Sequence, residues 1–104
     1  MRTAKVFVNN QEAGVLSELD LGKKYRFEYL KGYQLTPVSI TMPLSNSVYE
    51  FDTFPPFFDG LLPEGFQLDG LLLFRKIDRN DLFSQLVTVG NDLVGNVTVK
   101  EITI

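Results

Sequence analysis

The acidic side chains Asp52, Asp59, Glu64 and Asp69 fall close together along the chain and are the groups best able to trade protons, as a small hydrolase working with carboxylates would require. Nothing else in the sequence supports that chemistry. There is no histidine, the usual general base near neutral pH and the commonest transition-metal ligand. There is no cysteine, which removes thiolate nucleophiles, disulfide frameworks and Cys-based zinc sites together. The patterns G-x-x-x-x-G-K-S/T, G-x-G-x-x-G, H-R-D and D-F-G are absent, so the chain has no means of gripping ATP with its magnesium and passing on a phosphoryl group. The expectation is a protein with no catalytic residue, no cofactor and no metal. The four carboxylates, with Asp78 and Asp81 beside a later turn, read as solvated or helix-capping groups.

The segment Leu61 to Phe66 carries a different kind of signal. Two leucines run into Pro63-Glu64-Gly65, a stiff corner followed by a large aromatic. In one reading the leucines are core and Pro63-Glu64-Gly65 simply opens a helix, with proline in its first turn. In the other the leucines stay buried while Glu64, Gly65 and Phe66 are presented to another protein, because an aromatic on a rigid corner buries much area with few rotatable bonds.

The elements that must position this corner follow from periodicity. Alternation predicts strands over Thr3–Asn9, Glu12–Leu16 and Lys24–Leu30, the first two joined at Asn9-Asn10 by a tight turn needing positive φ. Val38, Ile40 and Met42 opposing Ser39 and Thr41 predict a fourth strand, and 44–54 a loop with a possible short strand at Val48–Phe51. Phe57, Phe58, Leu61 and Leu62 repeat at helical spacing. A longer helix follows Pro63, with Leu68, Leu71, Leu72 and Arg75 on its buried side and Gly70 weakening it. Asn80 caps a further helix to Val89, stopped by Gly90, and Val97 to Ile102 forms a last strand. Phe51, Phe54, Phe57 and Phe58 are expected in the core. The sum is one α+β domain over residues 1–104, a mainly antiparallel sheet of about five strands with two or three helices.

A net charge of −3 and a sequence pI of about 4.8 set the field against phosphate backbones, so direct nucleic-acid binding is not expected. The longest apolar run, Leu71 to Phe74, is far too short to span a membrane, and Met1 to Val6 runs straight into a strand pattern instead of a signal peptide. The expected setting is the cytoplasm.

Phe57-Phe58-Asp59-Gly60-Leu61-Leu62-Pro63-Glu64-Gly65 resembles the F-F-x-N-L-L-P-E-G signature of HipA-type toxin kinases. Asp81-Leu82-Phe83, leading to Gly90-Asn91-Asp92-Leu93-Val94-Gly95-Asn96-Val97, is similar to that family's G-x-D-x-x-G-A-V segment, and Pro37 to Pro43 is similar to the run before its F-F motif. Gly60 stands where Asn is usual, and Asn96 where Ala is usual. Ile104 falls where such a kinase would continue into a second N-terminal subdomain and its ATP-binding core. The chain therefore resembles HipS, the small subunit of split HipB-HipS-HipT systems. That resemblance implies an antitoxin that neutralises a HipT-like protein kinase, with a HipB-like DNA-binding protein in the same complex. It also implies a kinase-facing surface, for which the candidates are Asp59, Leu62, Pro63, Glu64, Gly65 and Phe66. A subdomain whose relatives are continuous with a kinase needs a face that packs on one, so a free copy is expected to expose an apolar patch.

Overall fold

The computed structural model describes residues 1–93 and 95–102. Val94 and Ile104, which figure in the resemblance, lie outside them. Among the described residues five strands, β1 (Arg2–Val8), β2 (Gln11–Asp20), β3 (Lys24–Tyr29), β4 (Val48–Phe51) and β5 (Val97–Glu101), accompany three helices, α1 (Pro56–Asp59), α2 (Gly65–Arg75) and α3 (Leu82–Thr88). The strands form one antiparallel sheet in the order β4-β3-β2-β1-β5, so the fold is α+β as expected. No helix among the described residues is long and apolar enough to cross a membrane.

The β1–β2 turn places Asn9 and Asn10 at φ 51° and 66°, a conformation that asparagine tolerates and that matches strand twist. β2 runs past the predicted Leu16 to Asp20 because it is paired on both sides, by β1 and by β3. A bulge opposite Val6 and Phe7 turns both Ala13 and Gly14 inward. Gly14 must lack a side chain: a Cβ there would lie 2.4 Å from Glu28 O and 2.7 Å from the Phe27 ring.

One face of the sheet is covered by α1 and α3, and between them Leu16, Phe27, Phe58, Phe83 and Leu86 are fully buried. Each such side chain contributes about 1.5–3 kcal/mol. Tyr25 and Phe54 meet edge to face at 5.3 Å, as do Phe27 and Tyr29 at 4.8 Å. Of the four expected core phenylalanines, Phe54 and Phe58 are buried, and Phe51 and Phe57 pack half-buried against them.

The predicted strand at Val38–Met42 is a turn. Met42 N donates to Ser39 O at 3.0 Å, so Val38 and Met42 are buried together while Ile40, expected on their side, sits at the tip 95% exposed. The Tyr29 hydroxyl clasps both ends, accepting from Val38 N at 2.9 Å and donating to Met42 O. The fourth strand is Val48–Phe51, the segment foreseen as a possible short one.

Two further differences have simple causes. Asp81, not Asn80, caps α3, its Oδ1 accepting from Ser84 N at 3.1 Å. Gly90 lies beyond the cap at Val89, where its O accepts from Val99 N at 3.0 Å; a Cβ on it would fall 1.8 Å from Val99 O, so close approach to β5 is what demands glycine there.

Asp81 also closes an ionic network at one end of the core. Arg2 Nε and Nη2 grip the 3% exposed Glu18 carboxylate at 2.7 and 2.9 Å, and Nη1 and Nη2 reach Asp81 at 3.2 and 3.0 Å. Tyr25 and the Gly22 amide donate to the same Glu18, and the guanidinium stacks 4.8 Å from the Phe83 ring centre. Burial pushes both carboxyls upward, but Arg2 and the surrounding donors outweigh it and hold Glu18 and Asp81 below their ordinary values. Burial, then the neighbouring Glu18, pushes the Tyr25 hydroxyl up to about 12.

Candidate partner-binding surface

The corner is assembled by the core beneath it. Pro55 and Pro56 start α1, a single turn that drives Phe58 fully into the interior, and the turn continues as Leu61 N and Leu62 N donate to Phe58 O and Asp59 O, both at 3.1 Å. Leu61 and Leu62 pack against the core but end half-buried, where both readings expect them buried. Gly60 keeps φ at −65°, and a Cβ on it would meet only ordinary contacts at 3.5 Å, so the asparagine usual in the motif fits the same backbone. Asn96, the other departure, is exposed.

From Leu62 the chain leaves the body. Pro63 is half-buried and lies before α2, not in its first turn. Glu64 is the extended N-cap at φ −131°, ψ 165°, and its side chain makes no capping bond. Gly65 turns through φ 61° with open space where a Cβ would stand, setting the direction of α2. Phe66 is 94% exposed. Of the six candidates, Asp59, Glu64, Gly65 and Phe66 are thus exposed, and Leu62 and Pro63 half-buried beneath them, along one continuous corner.

α2 continues unbroken through Gly70 but has no buried side. The expected inner residues Leu68, Leu71 and Leu72 are only half-buried, and Arg75 is exposed. The covered face of the sheet is already occupied by α1 and α3, and the apolar residues of α2 are spread around the helix instead of along one stripe. An open groove of about 790 Å³ separates α2 from the body, walled by Leu71 and Phe74 on the helix and by Leu61, Leu62, Val89 and Leu93 opposite. Asp69 reaches Arg79 at 2.7 Å across solvent. Leu73 and Phe74 are 80% and 87% exposed; they were not among the predicted contacts, although the run Leu71 to Phe74 holds more apolar residues than one helical face can bury.

The carboxylates singled out in the sequence sit in solvent or in local bonds. Asp52, Asp59 and Glu64 are exposed, Asp69 pairs with Arg79, Asp78 accepts from Asn80 N at 2.7 Å, and Asp81 is the cap described above.

Comparison with known proteins agrees with this arrangement. An uncharacterised protein of Haemophilus influenzae is 34% identical over 101 residues, covering 97% of this chain and 93% of that protein. A solved structure of the N-terminal domain of HipA toxin superposes with a TM-score of 0.77 at 30% identity, over 99% of this chain and 94% of that one. The family model described as HipA N-terminal domain matches residues 4–100, a span that holds the whole sheet but the first residues of β1 and the end of β5, and all three helices. The likeness thus spans nearly the whole domain, and the chain belongs to the HipA N-terminal domain family.

Proposed function

We propose that this chain is an antitoxin that binds a HipT-like protein kinase and holds it inactive, without catalysis of its own. The likeness to the N-terminal domain of HipA toxin supports a role tied to Hip toxin–antitoxin systems. The observation that carries the reading is the unpartnered α2 and the corner before it, where Phe66, Leu73 and Phe74 stand in solvent on a domain whose core is otherwise closed. A relative matched over 93% of its own length has no room for a kinase core, so a free-standing copy of the domain has a precedent in that protein. Asp59, Leu62, Pro63, Glu64, Gly65 and Phe66 form the kinase-facing corner. Phe66 enters the kinase cleft, placed at the start of α2 by the turn at Pro63-Glu64-Gly65, so that nucleotide or substrate no longer engages productively. The acidic charge of the chain leaves DNA contact to a HipB-like protein in the same assembly.

The test is autophosphorylation of a HipT-like kinase, a HipA-like protein lacking this domain, with increasing amounts of the chain. Inhibition is expected to reach completion at saturation. Unchanged activity at saturation excludes it and leaves a structural subunit that merely completes the kinase, for which co-expression would leave toxicity unchanged or raise it.

A further inference from the structure

α2 is built against its own stability. It spans 11 residues, below the roughly 12–15 at which a helix holds in water unaided, and Gly70 occupies its interior. Its N-cap Glu64 makes no side-chain bond, and none of its residues is buried. Among the described residues, the Asp69–Arg79 pair is the side-chain hydrogen bond that ties it to the rest of the chain, and both partners are about 60% exposed. Its apolar side chains point several ways: Phe66 and Leu73, at i and i+7, share one side, Leu68 and Leu72, at i and i+4, share another, and Leu71 and Phe74 line the groove.

We infer that α2 is a folding-on-binding element whose docking site is a concave, apolar cleft of the partner kinase, enclosing Phe66, Leu73 and Phe74 together. This rests on the kinase reading above and extends the contact beyond the corner. A helix apolar on several sides is covered by something that surrounds it. A second copy of this chain is a poor fit, since its groove is open and one wall of it is α2 itself, so such a contact leaves part of each helix wet. The three exposed side chains offer on the order of 500 Å², more than half of the ~800 Å² that each partner contributes to a stable interface.

Hydrogen exchange read by mass spectrometry on the full chain, free and with a saturating HipT-like kinase, tests this. In the free chain α2 amides are expected to exchange within about tenfold of unstructured rates, with β1, β2 and α3 slower by orders of magnitude. The kinase is expected to slow α2 at least about 100-fold. Gly70→Ala, whose Cβ would meet nothing within 4 Å, raises the helix–coil constant of α2 about fivefold and is expected to divide that factor between slower free exchange and a tighter kinase Kd, the two changes multiplying to about five. Protection of free α2 equal to that of α3 overturns the inference while leaving the kinase reading standing, as does a complex in which α2 stays unprotected, or a Gly70→Ala chain that gains protection without affinity. Protection that rises with the chain's own concentration assigns the helix to a second copy and also overturns it. A chain with no affinity for the kinase overturns both readings.

Discussion

Replacing Phe66 by alanine separates binding from folding. The side chain is 94% exposed and touches none of the core, so stability should change by less than about 0.5 kcal/mol. Burial on a partner reverses its importance. Truncation to alanine removes on the order of 100 Å² of apolar contact, which at about 25 cal/mol per Å² is about 2.5 kcal/mol, or nearly 70-fold in Kd. Calorimetric titration of wild-type and Phe66→Ala chains into a HipT-like kinase measures that loss, and a thermal melt of each free chain supplies the control. An affinity within threefold of wild type, with an unchanged melt, would sink the claim that this corner anchors the complex. A melt lowered by many degrees would show instead that Phe66 belongs to the folded interior.

The ionic network predicts three stability effects. Arg2→Met leaves the 3% exposed Glu18 without its main partner and should cost about 3 kcal/mol, read as a lower denaturant midpoint; a change below about 0.5 kcal/mol refutes the network's importance. Glu18 and Asp81 are held below their ordinary values of 4.5 and 3.8, so their contribution is complete above those values and disappears as pH falls through the lower folded-state ones. Melting temperature should therefore hold from neutrality to about pH 4.5 and fall below it, and the Arg2→Met chain should lack most of that fall. At the opposite extreme, Tyr25 favours its neutral form in the fold, so stability declines as pH climbs from 10 towards about 12, a loss that Tyr25→Phe removes. Gly90→Ala forces a methyl to 1.8 Å from Val99 O and should cost at least about 3 kcal/mol, visible as a collapsed melting temperature or insoluble expression.

Strands β1 and β3, the last strand and the helix beginning at Leu82 were legible because their apolar residues keep a single period and a single face. Val38, Ile40 and Met42 keep the same period yet form a turn, and alternation could not reveal it because the clasp comes from Tyr29, far off in sequence and on another strand. β2 is expected only to Leu16 but runs to Asp20, and the inward place of Glu18 in that extension depends on Arg2 and Asp81, which come together with it only in three dimensions. The corner itself was legible from Pro63-Glu64-Gly65. The exposure of the helix behind it was not, because leucine spacing alone implies burial, and whether a surface awaits those leucines depends on what the other helices already cover.

The place of β1 between β2 and β5 has a kinetic consequence. Ala4 pairs with Glu101 and Arg2 with Asp81, so the opening residues of the sheet wait on segments some eighty to a hundred positions away. Closing so wide a loop is entropically slow, and the rate-limiting step of refolding is expected to be the capture of β5 by a preformed β1–β2–β3 meander. In stopped-flow experiments Val99→Ala should then slow folding more than it speeds unfolding, and the reverse pattern would place that capture after the barrier.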